Sequence, residues 1–374
     1  MFVFRREDLP PDAEFPANLE KLGYFINEKD QIRKISDPEQ EFQFKINRNA
    51  RYNEVHREMM NTCIRTIVSS RLQDLGLTTL RLPLSSTPND PHVPIWVSPN
   101  LSTASRIVVV FGEPNQDLGI WAYRSIGTQG IHAGSAVSFA NAVLGRKNGG
   151  DQETSGDTAL VLANTGQLIW NCGSRRAVTH PSWIALPRRS AVDPPMTMSQ
   201  RNKIPGNANW QEHVDCVFDE ILGARGKLVK ADAKIDIIGL AEGGLGAIRY
   251  LANDWEIWRP YISGICLSNP LQFTHIDLLD TSASSFSAFV SSRCRAYVLS
   301  DRPLGMPVSG FREHGCNCYS SGEELNIECI MASAWESMLE WLGKVHADPG
   351  YCEKQLMVQD VEVDLETSGD GPSS

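Results

Sequence analysis

Residues 235–248 read Ile-Asp-Ile-Ile-Gly239-Leu-Ala241-Glu242-Gly243-Gly244-Leu-Gly246-Ala-Ile. A short apolar, β-branched run passes into a glycine-rich turn and then into a segment with helical spacing. Strand, tight turn and helix form the setting of the pattern G-x-S-x-G. There a serine nucleophile sits at the apex of a strained turn, and the flanking glycines let neighbouring backbones pass closely. Gly239 and Gly243 occupy the two glycine positions. The apex is Ala241, which offers neither oxygen nor sulfur and cannot form an acyl-enzyme. Glu242 carries a carboxylate but stands one residue past the apex. Its expected role is to place negative charge at the start of the following helix, where the helix dipole favours it.

Outward from this turn, five more short apolar runs occur: 107–111 ending at Gly112, 158–163, 264–267, 296–299 and 326–330. Strands buried on both faces have this continuous pattern, and helix-period segments lie between them at 131–144, 209–223, 244–254 and 333–346. The expected fold is α/β: an α/β-hydrolase-like, mostly parallel sheet with helices on both faces. Upstream, 22–27 and 42–46 alternate like half-buried strands, 51–74 has helical period, and Trp96-Val-Ser reads as a short edge strand.

In that fold the order of the triad is nucleophile, acid, histidine. Asp301 follows the run 296–299, where the acid belongs, although a turn before Arg302-Pro303 accounts for it equally well. The histidine is expected between the last strand and the last helix, and residues 331–336 contain none. His314 precedes that run, in a loop. The loop after 107–111, which would stabilise an oxyanion, reads Gly112-Glu-Pro-Asn-Gln-Asp117, and Pro114 removes one backbone donor from it. No catalytic residue is therefore assigned. The vestigial elbow and pocket comprise Gly112, Gly239, Ala241, Glu242, Gly243 and Asp301.

The 374 residues carry 35 Lys and Arg against 45 Asp and Glu, a net charge of −10, with 41% hydrophobic and 21% charged residues. That composition supports a packed core and argues against broad electrostatic binding of nucleic acid. From Glu353 onward six carboxylates face one lysine, so half of the net charge belongs to the end of the chain. The pairs Arg175-Arg176 and Arg188-Arg189 read as solvated surface. Nine cysteines, several inside apolar runs, show no disulfide framework and fit a reducing compartment. His314-Gly-Cys316-Asn-Cys318 lacks the spacing of a zinc site, so a structural loop is expected there, with no metal and no cofactor. The first residues lack the apolar core of a signal peptide, and no apolar run of membrane-spanning length occurs.

Several blocks together resemble one known family: Phe15-Pro-Ala-Asn-Leu-Glu-Lys-Leu-Gly-Tyr-Phe-Ile-Asn, Val97-Ser-Pro-Asn-Leu, Val110-Phe-Gly-Glu-Pro-Asn-Gln-Asp-Leu-Gly-Ile-Trp-Ala-Tyr, Asn164-Thr-Gly-Gln-Leu-Ile-Trp and Trp183-Ile-Ala-Leu-Pro-Arg. The chain resembles the fungal Argonaute-binding protein two (Arb-two) domain family from about residue 8 to 345. The resemblance implies an α/β-hydrolase-like fold used in small-RNA silencing and heterochromatin formation. The implied partners are Argonaute and the subunits of a small-RNA chaperone complex, or a histone deacetylase, with RNA reached only indirectly. It also implies residence in the nucleus, the cytoplasm or both. Animal relatives keep a serine at the elbow, and Ala241 departs from them. The expected organisation is an N-terminal extension over 1–104 packed on a core over 105–350, forming one domain, followed by an acidic disordered tail over 351–374. The leading expectation is a non-catalytic adaptor. The alternatives are a residual esterase-like hydrolase using another nucleophile, and a dimerisation module associated with a histone deacetylase.

Overall fold

The structure is a computed structural model and describes residues 9–145, 157–280 and 282–358. It begins with a three-stranded antiparallel meander of β1 (Tyr24–Ile26), β2 (Ile32–Lys34) and β3 (Asp37–Glu41). A main sheet follows, built from β4 (Thr78–Leu82), β5 (Val93–Val97), β6 (Arg106–Phe111) and β7 (Thr158–Leu162). A two-stranded ribbon, β8 (Ile169–Asn171) and β9 (Arg176–Val178), stands apart from it. The main sheet is completed by β10 (Lys234–Leu240), β11 (Ile262–Ser268), β12 (Cys294–Val298), β13 (Pro307–Val308) and β14 (Asn317–Ser320).

Across the main sheet the order is β13-β14-β12-β11-β10-β6-β7-β5-β4. From β7 through β6, β10, β11 and β12 to β14 every pairing is parallel, whereas β4, β5 and β13 pair antiparallel. With β13 set aside, the eight remaining strands run 8-7-6-5-3-4-2-1 across the sheet, and the fifth, β10, leads into the elbow. This is the sheet of an α/β-hydrolase fold.

The continuous apolar strands follow from cover on both faces. Along β6, Ile107, Val109 and Phe111 enter one core with β10 residues Ile235 and Ile237 and the helices Trp210–Cys216 and Ala241–Asn253. Val108 and Val110 enter the other, against the helices Ala50–Asp74, Ala136–Val143 and Ile330–Ala347. The first of these three starts at Asn49, whose side chain caps it by accepting from the amides of Arg51 and Tyr52. Because β4 and β5 belong to the main sheet, position 104 does not separate an extension from a core.

Five of the six expected central strands stand where their apolar runs lie. The sixth does not. Residues Ile327–Cys329 form a 3-10 turn and Ile330 opens the last helix, whose buried residues Ile330, Met331, Ala334, Met338, Leu342 and Val345 keep helical period. The last parallel strand is β14, in the cysteine-rich stretch expected to be a loop, and Cys316 and Cys318 are buried there. Residues 42–46 are not a strand either. The meander ends at Glu41, and the Phe42 and Phe44 rings pack edge-on, 4.4 Å apart. Trp96 lies in β5, one strand in from the edge.

The acidic end begins later than its composition suggests. Glu353 is buried against the body, with both carboxylate oxygens near Arg295 Nε and the Tyr319 hydroxyl donating to it. The rest of the expected tail, 359–374, lies outside the described residues.

Candidate functional site

The elbow is built as the glycine spacing requires. Ala241 follows β10 directly with φ +43°, the left-handed conformation that a side chain resists, and it opens the helix Ala241–Asn253. A Cβ on Gly239 would stand 2.3 Å from the Gly244 Cα, and one on Gly243 would stand 2.3 Å from the Gly112 carbonyl oxygen. The turn is therefore locked between β6 and the first turn of its helix, and its apex presents only the buried Ala241 methyl.

The loop after β6 faces this apex. Asp117 anchors its far end, accepting from Arg65 Nη1 at 2.9 Å, the Tyr123 hydroxyl at 2.6 Å and Gln167 Nε2 at 2.8 Å. Arg65 also reaches Glu58 at 2.6 Å, and Glu58 accepts from Ser182 at 3.0 Å. A second support is the fully buried His213, whose Nε2 accepts from the Asn164 amide at 2.9 Å while its Nδ1 faces Asn207 Oδ1 at 2.6 Å. Burial in this neutral setting lowers the His213 pKa to about 3.

The electrostatics of the elbow come from carboxylates. Removal from water, together with the negative charges of Glu242 and Glu328, pushes the Glu113 carboxyl up to about 7. Glu328 comes from the turn before the last helix and pairs with Arg124 at 3.1 Å. Acids from three separate parts of the chain thus act on one another through their charges near the elbow. Glu113 and Glu328 were not among the residues singled out by sequence. Glu113 lies in the Phe-Gly-Glu-Pro block that carries the family resemblance, which was the available signal, and Glu328 had none.

Asp301 lies just past the end of β12, on the same edge of the sheet as the elbow. It is exposed and makes no side-chain hydrogen bond or ion pair among the described residues. His314 precedes β14, and its Nδ1 faces the Gln272 carbonyl at 3.0 Å. With β14 as the last parallel strand, the place to seek a histidine moves to residues 321–329, which contain none and supply Glu328 instead. No cluster of three metal-ligating side chains occurs among the described residues. Arg188 is not merely solvated, because its guanidinium bonds the carbonyls of Ile184 and Asp193.

The family model of the Arb2 domain matches residues 15–304. The chain belongs to the Arb2 domain family. No curated protein matches this Arb2 domain chain. Among solved structures it is similar to a histone deacetylase from Saccharomyces cerevisiae, at 16% identity and a TM-score of 0.42, covering 76% of this chain and 97% of the other. It is also similar to a glucuronoyl esterase from Solibacter usitatus, at 12% identity and a TM-score of 0.34, covering 71% and 80%. A bacterial heroin esterase matches at 11% identity and a TM-score of 0.33, covering 77% and 91%. Among the described residues of this Arb2 domain, no helix is long and apolar enough to cross a membrane.

Proposed function

We propose that this Arb2 domain is a non-catalytic adaptor in small-RNA silencing and heterochromatin formation. At the family level, the Arb2 domain supports a role linked to Argonaute and histone-deacetylase silencing. The finer reading is a protein partner of Argonaute within a small-RNA chaperone complex, acting in the nucleus, the cytoplasm or both, and meeting RNA only through that partner.

One observation carries the non-catalytic part. The elbow keeps its strained geometry, with Ala241 at φ +43°, yet places a methyl group at the apex. The carboxylates support the same reading. An oxyanion hole needs donors aimed at developing negative charge. Here Glu113 follows Gly112 directly, with Glu242 and Glu328 adding charge of the wrong sign.

Affinity purification of the tagged chain from its own cells, followed by mass spectrometry, tests the proposal. Recovery of Argonaute with its complex supports it. Recovery of a histone deacetylase alone moves the chain to the deacetylase-associated reading, and recovery of neither refutes the adaptor role.

A further inference from the structure

The elbow helix Ala241–Asn253 leads into the short helix Trp255–Trp258, and across from it lies Thr274–Asp277. Between them, floored by Trp255, Leu278 and Phe286, runs a groove of about 590 Å³. Three large aliphatic side chains on its walls face water: Ile257 at 64% exposure, Ile276 at 55% and Leu279 at 71%. Apolar side chains gathered in this way mark interaction surfaces.

The charged residues of the groove all have one sign. Asp254, Glu256, Asp277 and Asp280 line it, and among the described residues no lysine, arginine or histidine does. Arg249 and Arg259 reach in from outside, bonding Asp277 at 2.8 Å and Glu256 at 3.4 Å. The adjoining helix adds more acid. Burial and the charges of Asp219, Asp254 and Glu212 raise the pKa of Asp215, so the negative field extends beyond the groove.

We infer that this groove docks a short basic amphipathic segment of a partner protein, with its apolar side chains against Ile257, Ile276 and Leu279 and its Lys or Arg side chains reaching Asp254, Glu256 and Asp280. Charge complementarity selects this occupant. A second copy would bring acid against acid, and phosphates of nucleic acid or of an anionic membrane would be repelled. Aliphatic anchors spaced at i, i+3, i+4 and i+7 on a helix suit a groove walled by two short helices. The inference deepens the adaptor reading and rests on it.

The test uses the full chain and a fluorescein-labelled peptide of about 14 residues, with Leu at i, i+3, i+4 and i+7 and Lys elsewhere. Its comparison peptides keep the Leu pattern with Glu in place of Lys, or keep Lys with Ser in place of Leu. Fluorescence anisotropy is expected to show saturable binding of the Leu/Lys peptide only. Ile257→Ser with Leu279→Ser should weaken it at least about tenfold. Asp254→Asn with Asp280→Asn should weaken it about threefold and flatten its salt dependence. Leu325→Ser, at a residue 81% exposed outside the groove, should leave it unchanged.

Equal binding of the Glu peptide, or indifference to Ile257→Ser with Leu279→Ser, would overturn the inference. So would a sedimentation shift from dimer to monomer caused by the same pair, which would make a second copy the occupant. Both sites are exposed, and unchanged melting temperatures would verify folding. If the peptide fails while the tagged chain still recovers Argonaute, the groove inference falls and the adaptor reading stands.

Discussion

Replacing Gly243 by alanine tests whether the elbow is locked as described. The added Cβ would lie 2.3 Å from the Gly112 oxygen and 2.8 and 2.9 Å from the carbonyl oxygen and carbon of Phe111. These are backbone atoms, and Phe111 belongs to β6, which is paired with β10 on one side and β7 on the other. No rotamer change relieves the contact, so the elbow or β6 must shift. Overpacking of this kind costs about 1–3 kcal/mol, and rigid backbone neighbours place it near 3. Against this stands the gain of about 1 kcal/mol from alanine over glycine in a helix. The net loss is about 2 kcal/mol, which lowers the melting temperature by about 2–3 °C in a chain of this size.

Gly343→Ala is the matched comparison. Gly343 sits inside the helix Ile330–Ala347, and nothing lies within 4 Å of its added Cβ. The same chemical change there is expected to raise the melting temperature by about 1–2 °C. Both substitutions restrict the unfolded chain alike, so the difference between them isolates the native contact. Circular dichroism melts and urea titrations of the three proteins measure it. A Gly243→Ala protein as stable as Gly343→Ala would refute the locked elbow.

Ala241→Ser should produce neither hydrolysis of p-nitrophenyl acetate above the parent rate nor labelling by a fluorophosphonate, because residues 321–329 hold no histidine; labelling with a kinetic burst would revive the hydrolase reading. Glu113→Gln should alter the pH profile of stability. The native Glu113 carboxyl holds its proton up to about 7 against an ordinary value of 4.5, so the parent loses stability as pH rises through that window and the variant does not. Melting temperatures from pH 4 to 8 should therefore shift in favour of Glu113→Gln as pH rises, and the opposite trend would contradict the site electrostatics. Asp236 is fully buried in β10 and pairs with Arg106 Nε of β6 at 2.6 Å. Asp236→Ala should cost about 3–5 kcal/mol in urea unfolding, and replacing both residues by leucine should recover most of that loss.

The parts of this fold that were legible in the sequence are those whose constraints are local. Gly239 and Gly243 had to be small because strand, turn and helix meet within a few residues, and their spacing alone defined the elbow. Strands covered on both faces, such as Ile107–Phe111, read as unbroken apolar runs whatever packs on them. β14 escaped because Asn-Cys-Tyr-Ser is short and has no β-branched residue, and its cysteines read as a cluster of ligands rather than as small apolar groups in a core. The false strand at 326–330 arose because a segment as short as Asn-Ile-Glu-Cys-Ile fits strand and helix alike, and only the burial of Met331, Ala334 and Met338 beyond it decides for the helix.

The candidate site divides along the same line. That the apex lacks a nucleophile is a property of one position, and the sequence states it outright at Ala241. What surrounds the apex is a property of the fold. Glu113 follows β6, Glu242 follows β10 and Glu328 lies in the turn before the last helix, and burial of Glu113 together with the charges of the other two raises its carboxyl. The groove is tertiary in the same way, since Ile257 and Leu279 belong to segments separated by the whole of β11. A fold that retains a strained elbow around a methyl group bears the conformational cost of that turn with no nucleophile at its apex. The close packing of Gly239 on Gly244 and of Gly243 on Gly112 gives the turn a structural reason to remain, because it seats the helix that leads into the docking groove.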